Sequence, residues 1–340
     1  MTTSSSRETP STSSQIEPIG MLHIRKSLTT KKLSKQAEDI IMCSWRKNTK
    51  KQYSGHLNKW TDFCSEREAD PFSAPVNICL DFLVSLYEKG LSYSSINTAL
   101  SAISAIHRDC ATSPLINRFM KGIFNLRPGL PRYTCTYDIK KVLDYLDSIP
   151  LHRASLKALS KQLALLLLLL TGQRVQMLQA LDINNINITD TKCSIYIDNL
   201  MKTSRPGKHK SVVEFQYYHN TNLCVLSHLK KYLDMTGTLR GSNTQLFLTS
   251  SKPHKPVTVD TLARWAKSLL QESGVDITTF KCHSTRSAVA SKSFLSGIPI
   301  NQILEAASWS NVKTFAEFYN KPIIETHCFS NDLLQTVYSV

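Results

Sequence analysis

Between Lys281 and Tyr319 the chain collects side chains that phosphodiester chemistry requires. His283 and Arg286 stand three apart in Lys281-Cys282-His283-Ser284-Thr285-Arg286, a spacing that puts both on one face of a helix. Trp309 follows in Ser308-Trp309-Ser310-Asn311, and Tyr319 in Phe318-Tyr319-Asn320. A guanidinium presents a fork that matches phosphate oxygens and keeps its charge. An indole N–H can only donate, so it suits a phosphate oxygen and cannot relay a proton. A tyrosine hydroxyl, with an ordinary pKa of about 10, is a poor nucleophile at neutral pH. It needs an electropositive pocket and a proton acceptor, and His283 has the chemistry for that second part. Singly, each residue has a plainer use: a solvated helix face for His283 and Arg286, a core anchor for Trp309, a core aromatic beside Phe315 and Phe318 for Tyr319.

Two further cations precede them. Arg174 opens a helix just past Gly172, in Thr171-Gly172-Gln173-Arg174. Lys202 lies in a connection that also holds Arg205, Lys208, His209 and Lys210 and no acid. That connection joins two β-type runs, Ser194 to Asp198 and Val212 to Phe215, which predict a hairpin or small sheet. Lys208 and Lys210 fit phosphate-backbone contact better than chemistry. Helical patterns occupy 139–146, the stretch from Leu156 to Thr171, 222–235, 258–273, 285–296, 299–307 and 311–320.

Ahead of these lies a stretch that reads as helix after helix. Tyr53, Leu57, Trp60 and Phe63 recur at helical spacing; Pro75 opens a second run that Gly90 closes; Ser94 is the expected cap of a third; Ser113-Pro114 starts a fourth. The organisation expected is a disordered Ser/Thr-rich basic tail over 1–33, a helical domain over 34–125, a Pro/Gly linker over 126–137, a second domain over 138–325 and a tail or helix over 326–340. The fold class is mainly α with a small antiparallel β-sheet. The segment Arg46 to Lys51 is a basic cluster that reads either as a nuclear-import signal or, through Lys50 and Lys51, as a phosphate-contacting helix end.

Composition narrows the partners. The 340 residues carry a formal charge of +15, which favours an anionic partner, nucleic acid first. The longest apolar run, Leu163 to Leu170, has eight residues, far short of the ~20 that span a bilayer, so it reads as a core helix. The N-terminus has no apolar signal region. Nine cysteines are scattered without a C-x-x-C pair and read as free thiols in a reducing compartment.

In order and spacing, Arg174, Lys202, His283, Arg286, Trp309 and Tyr319, preceded by a helical domain, resemble the tyrosine recombinases, the phage-integrase family. The motifs are T-G-x-R, a hairpin Lys, H-x-x-R and a Tyr 33 positions after the second Arg. The phrases Leu200-Met201-Lys202-Thr203-Ser204-Arg205-Pro206-Gly207-Lys208, Phe280 to Ala288 and Thr314 to Pro322 look like recombinases of eukaryotic mobile elements, the DIRS-like and Ngaro-like retrotransposons and the Crypton transposons.

The resemblance implies a helical core-binding domain and a mixed catalytic domain. It implies a site-specific recombinase, or integrase, that cleaves and rejoins double-stranded DNA through a 3′-phosphotyrosyl ester. Tyr319 would be the nucleophile, Arg174, Arg286 and Trp309 the phosphate ligands, His283 the proton acceptor and Lys202 the general acid. Lys50, Lys51, Arg205, Lys208 and Lys210 would contact DNA. No cofactor or metal is called for, because the ester conserves the energy of the broken bond. The partners expected are DNA and three further copies, a homotetramer on two sites, with no membrane, and the location the nucleus. Asp332 to Val340 would dock on a neighbouring protomer or pack on its own domain. One position departs from the family: three residues after the first Arg an acid is usual, and here stands Met177. Two other readings stay open, a recombinase-derived DNA-binding protein that no longer cuts and a type IB topoisomerase.

Overall fold

The computed structural model describes residues 17–129, 133–200, 204, 211–309 and 311–323. The chain divides into two compact units, Met1–Leu130 and Pro131–Val340.

The first unit is built from seven helices among its described residues: α1 (Met21–Thr29), α2 (Lys35–Met42), α3 (Lys47–Ser65), α4 (Val76–Glu88), α5 (Tyr93–Ser104), α6 (Arg108–Thr112) and α7 (Pro114–Leu126). Helix α3 sends Leu57 and Trp60 into a core shared with Phe82, Leu86, Ile96, Ile103 and Met120. The Trp60 indole donates to the Pro71 carbonyl at 3.0 Å, so its polar atom is satisfied where the ring is buried.

Helix α1 corrects the expectation of a tail over 1–33. Its Met21, Ile24 and Leu28 form one apolar stripe and are buried, a pattern the surrounding Ser, Thr and Lys obscure. Gly20 lets it approach: a Cβ there would meet the Ser54 carbonyl oxygen at 2.3 Å, and the Gly20 N–H donates to Ser54 Oγ at 2.9 Å. Residues 1–16 lie outside the described residues. The cap of α5 is Ser92, whose hydroxyl accepts from the Ser95 N–H at 3.3 Å, two residues before the expected Ser94. Tyr93 thereby joins the helix and packs edge-on against Phe124, with centroids 5.5 Å apart.

In the second unit Asp138 caps α8 (Ile139–Asp147) as its spacing predicts. Then follow α9 (Leu156–Thr171), α10 (Val175–Gln179), α11 (Val225–Thr236), α12 (Val259–Glu272), α13 (Thr285–Leu295), α14 (Ile300–Ala306) and α15 (Val312–Phe318). The sheet inserts between α10 and α11 as β1 (Ile186–Ile188), β2 (Lys192–Ile197) and β3 (Ser211–Gln216), antiparallel in that order. Its register sets Ile195 opposite Ile186 and Val213, and Cys193, Ile195 and Ile197 alternate inward. Strand β1 is an addition to the expected pair. The fold is mainly α with a small antiparallel sheet, as read from the sequence.

Helix α9 is the axis of this unit. Leu163 through Leu169 are buried, and α11, α12 and α13 all pack on it, so the leucine tract is a core helix. Among the described residues no helix is long and apolar enough to cross a membrane. Thr136 and Tyr137, expected in the linker, belong to this unit. Thr136 bridges to Ile323, its N–H donating to the Pro322 carbonyl at 2.8 Å, and the buried Tyr137 hydroxyl donates to Thr285 Oγ1 at 3.1 Å.

The free-thiol expectation fails for one pair. Cys79 and Cys110, 31 positions apart, have sulfurs 2.12 Å from each other, because helix packing brings together cysteines that the sequence shows only singly.

Candidate active site

The site begins where α9 stops. Gly172 adopts a left-handed conformation with φ +60°, which a residue with a Cβ adopts only at a cost. This turn frees the Gly172 carbonyl from the helix ladder and aims it at Arg286. Arg286 Nη1 donates to it at 2.6 Å, and Nη2 donates to the Ala307 carbonyl at 3.0 Å. A guanidinium only 1% exposed is thus held by two backbone carbonyls and, among the described residues, no carboxylate. Burial first, and then the charge of nearby Arg174, pull its pKa down to about 10 against the opposing attraction of Tyr319. It remains a cation at neutral pH.

The same turn is tied to the loop after α14 a second time. The Gln173 side-chain amide donates to the Ala306 carbonyl and, at 2.7 Å, to Ser308 Oγ. Arg174 follows as the half-buried N-cap residue of α10 in extended backbone conformation. Gln173 and Arg286 therefore fasten the loop carrying Trp309 to the turn carrying Arg174. Met177, at the position where an acid was looked for, is buried in the apolar core.

Trp309 is buried, and its ring stacks on Tyr319 with centroids 4.2 Å apart and planes 28° off parallel. The Arg286 guanidinium carbon lies 5.0 Å from the Trp309 ring centre and 5.5 Å from that of Tyr319. Tyr319 is half-buried at the end of α15. Its carbonyl accepts from Ser291 Oγ at 2.9 Å, and Ser291 Oγ in turn accepts from the Lys321 N–H at 2.9 Å, so α13 grips the backbone on both sides of Asn320, directly after the tyrosine. His283 sits on an exposed turn just before α13, its ring edge-on to Tyr319 at 6.4 Å between centroids. Burial pushes the neighbouring Cys282 thiol up to about 12, which disfavours the thiolate.

Two donors in this cluster are unspent. Among the described residues, Arg286 Nε and Trp309 Nε1 are buried with no hydrogen-bond partner. A buried N–H without an acceptor costs about 1–3 kcal/mol, and two beside a cation suit an anionic oxygen.

The structure thus gathers Arg174, Arg286, Trp309, Tyr319 and His283 around one place. Lys202, Arg205, Lys208 and Lys210 lie outside the described residues, as does 326–340. In the first unit Lys50 is half-buried and pairs with Glu17 at 3.5 Å. Lys51 is exposed on α3, on a face it shares with Asn48, Gln52, Gly55, His56 and Lys59. Sequence reasoning missed Gln173 and Ser291. Gln173 stands inside the quoted T-G-x-R motif, where the variable position hid it; no local signal marks Ser291, whose partner is a backbone atom 28 residues on.

Comparison with known proteins places this arrangement. No curated protein matches the chain by sequence. Among solved structures it resembles XerH site-specific recombinase bound to palindromic difH substrate in a post-cleavage complex, with a TM-score of 0.60 and 17% identity over 97% of this chain and 91% of that one. It also resembles the Tn1549 transposon integrase in complex with circular intermediate DNA, at 0.57 and 14% over 94% and 99%. A lambda integrase dimer bound to a COC′ core site aligns at 0.51 and 16% over 86% and 96%. At these identities the likeness speaks for the fold. Residues 136–323, more than half of the chain and all of the described site, match the phage integrase family, and the chain belongs to that family of tyrosine recombinases.

Proposed function

We propose that the protein is a site-specific DNA recombinase that cleaves and rejoins duplex DNA through Tyr319. The observation that carries this reading is the pair of buried, unpartnered donors, Arg286 Nε and Trp309 Nε1, beside a stacked tyrosine. Their geometry fits a phosphate whose non-bridging oxygens take both N–H groups and the Arg174 fork. Tyr319 Oη attacks phosphorus, its proton passes to His283, and the P–O5′ bond breaks as Lys202 protonates the departing 5′-oxygen. The reverse sequence rejoins the strand. The ester retains the bond energy, so neither nucleotide nor metal is consumed.

Duplex DNA as substrate draws support from the family and from the DNA-bound complexes of similar fold. The exposed face of α3 with Lys51 and Lys59, and the basic segment with Arg205, Lys208 and Lys210, would hold the phosphate backbone. A tetramer on two sites would use the C-terminal segment of one copy against the apolar groove of the next, lined by Leu143, Leu166, Leu170, Phe215 and Tyr218. Integration or excision of a mobile element, in a nucleus, is supported by the DIRS-, Ngaro- and Crypton-like phrases around Lys202, His283 and Tyr319. The core position of Met177 favours one second reading, a recombinase-derived protein that binds DNA without cutting, because the acid usual at that position is replaced by an apolar side chain.

One experiment separates the two. Purified protein is incubated, without added divalent metal, with randomised duplexes nicked so that the short cleaved strand diffuses away, and a denaturing gel is searched for protein–DNA adducts. An adduct in wild type that is absent in Tyr319→Phe supports cleavage, and sequencing the trapped DNA gives the site. Tight duplex binding by both proteins with no adduct supports the second reading.

A further inference from the structure

In the helical unit three ligating side chains meet. Cys79 sits in the first turn of α4, and His107 and Cys110 bracket the start of α6. Their ligating atoms all lie within 4.8 Å of one another, and no residue of the three is more than 2% exposed. The two sulfurs are at bonding distance, which is one chemical state of the cluster. His107 Nε2 lies 2.7 Å from the Ala74 carbonyl oxygen, a contact that a protonated Nε2 makes, so Nδ1 holds the lone pair. Nδ1 caps α6 by accepting from the Cys110 N–H at 3.4 Å, a long and therefore weak hydrogen bond. A ring fixed through its far N–H to a backbone carbonyl, with the near nitrogen's lone pair engaged only by that weak bond, is the posture of metal-ligating histidines.

We propose that with both sulfurs reduced Cys79, His107 and Cys110 bind one zinc ion. The ion takes a bond from each sulfur and one from Nδ1, displaces one proton from each thiol, and leaves its fourth position to a water. Two thiolates cancel the charge of Zn²⁺, so the complex suits a buried place. The Cys79 and Cys110 Cα atoms are 6.8 Å apart, at the upper end of what a disulfide spans. That leaves the side chains able to part to the about 3.8 Å that two Zn–S bonds of about 2.3 Å require. The ion ties α4 to α6, a helix of five residues that is too short to hold itself, and so positions the start of α7. The 31-residue separation is why no zinc motif shows in the sequence. This site is independent of the DNA chemistry proposed above.

The test uses the full chain, purified with a phosphine reductant and no chelator. Metal content by mass spectrometry is expected at one zinc per chain, with all nine thiols titrating after denaturation. Cys79→Ser and Cys110→Ser lose at least nine-tenths of the zinc, while Cys64→Ser, a buried cysteine of the same core, keeps it. Because the first two variants risk misfolding, Co²⁺ is also added to metal-stripped wild type, with circular dichroism confirming helix content. A sulfur-to-cobalt charge-transfer band that zinc abolishes is expected. Zinc-free protein with no cobalt band overturns the proposal, whether seven thiols titrate, as for a disulfide, or nine, as for inert core cysteines.

Discussion

The protein carries its cations in two contrasting settings. Arg286 is buried, clamped by the Gly172 and Ala307 carbonyls, and shares its surroundings with Trp309 and Tyr319. Lys51 and Lys59 stand exposed along α3. The first arrangement gives up solvation and leaves two N–H groups that an anionic oxygen would complete; the second gives up nothing and gains only by collective attraction. Burial alone is not the mark of chemistry, since the buried Arg240 spends its donors on Thr236 Oγ1 and the Gln245 and Leu246 carbonyls; Arg286 is set apart by its unspent Nε beside that of Trp309.

Variants that disturb each setting sharpen the contrast. The largest effect is expected from Arg286→Lys. It keeps the charge but loses the fork, and removing one transition-state donor typically costs about 10²–10³ in rate, so adduct formation should fall by that order while equilibrium DNA binding changes little. Equal losses in both assays would make Arg286 a folding residue. Gly20→Ala comes next. Its Cβ collides with the Ser54 backbone, and an overpacked contact costs about 1–3 kcal/mol, readable in urea unfolding; an unchanged midpoint would mean α1 does not seat on α3. Gly172→Ala forces a Cβ into a left-handed turn at about 1–2 kcal/mol. Because the displaced carbonyl no longer meets Arg286, adduct formation should drop more than stability. The smallest effect belongs to Lys51→Ala and Lys59→Ala. Each should weaken binding to all duplex sequences alike and reduce the slope of log affinity against log salt by about 1, leaving single-turnover cleavage of bound DNA intact. A change in sequence preference would place these lysines at bases.

Much of this was legible in the chain. The helical periods of the first unit, the buried leucine tract, the β2–β3 pair and the order of Arg174, His283, Arg286, Trp309 and Tyr319 could all be read, because periodicity and motif spacing are local. The tail reading failed at α1 since three apolar residues among Ser, Thr and Lys carry little weight until α3 supplies the surface they bury. Ser94 yielded to Ser92 because packing of Tyr93 on Phe124 chose the helix start.

What the sequence determined by itself is which residue types suited to phosphodiester chemistry are present and in what order they come. Tertiary structure alone decided that Gly172 would turn its carbonyl to Arg286, that Gln173 would bind the loop before Trp309, that Ser291 would hold the backbone at Tyr319, and that Cys79 would meet Cys110 and His107. Each of these links joins a side chain to a backbone atom or to a residue tens of positions away. Backbone carbonyls are the same at every position of a sequence, and only folding gives one of them a direction.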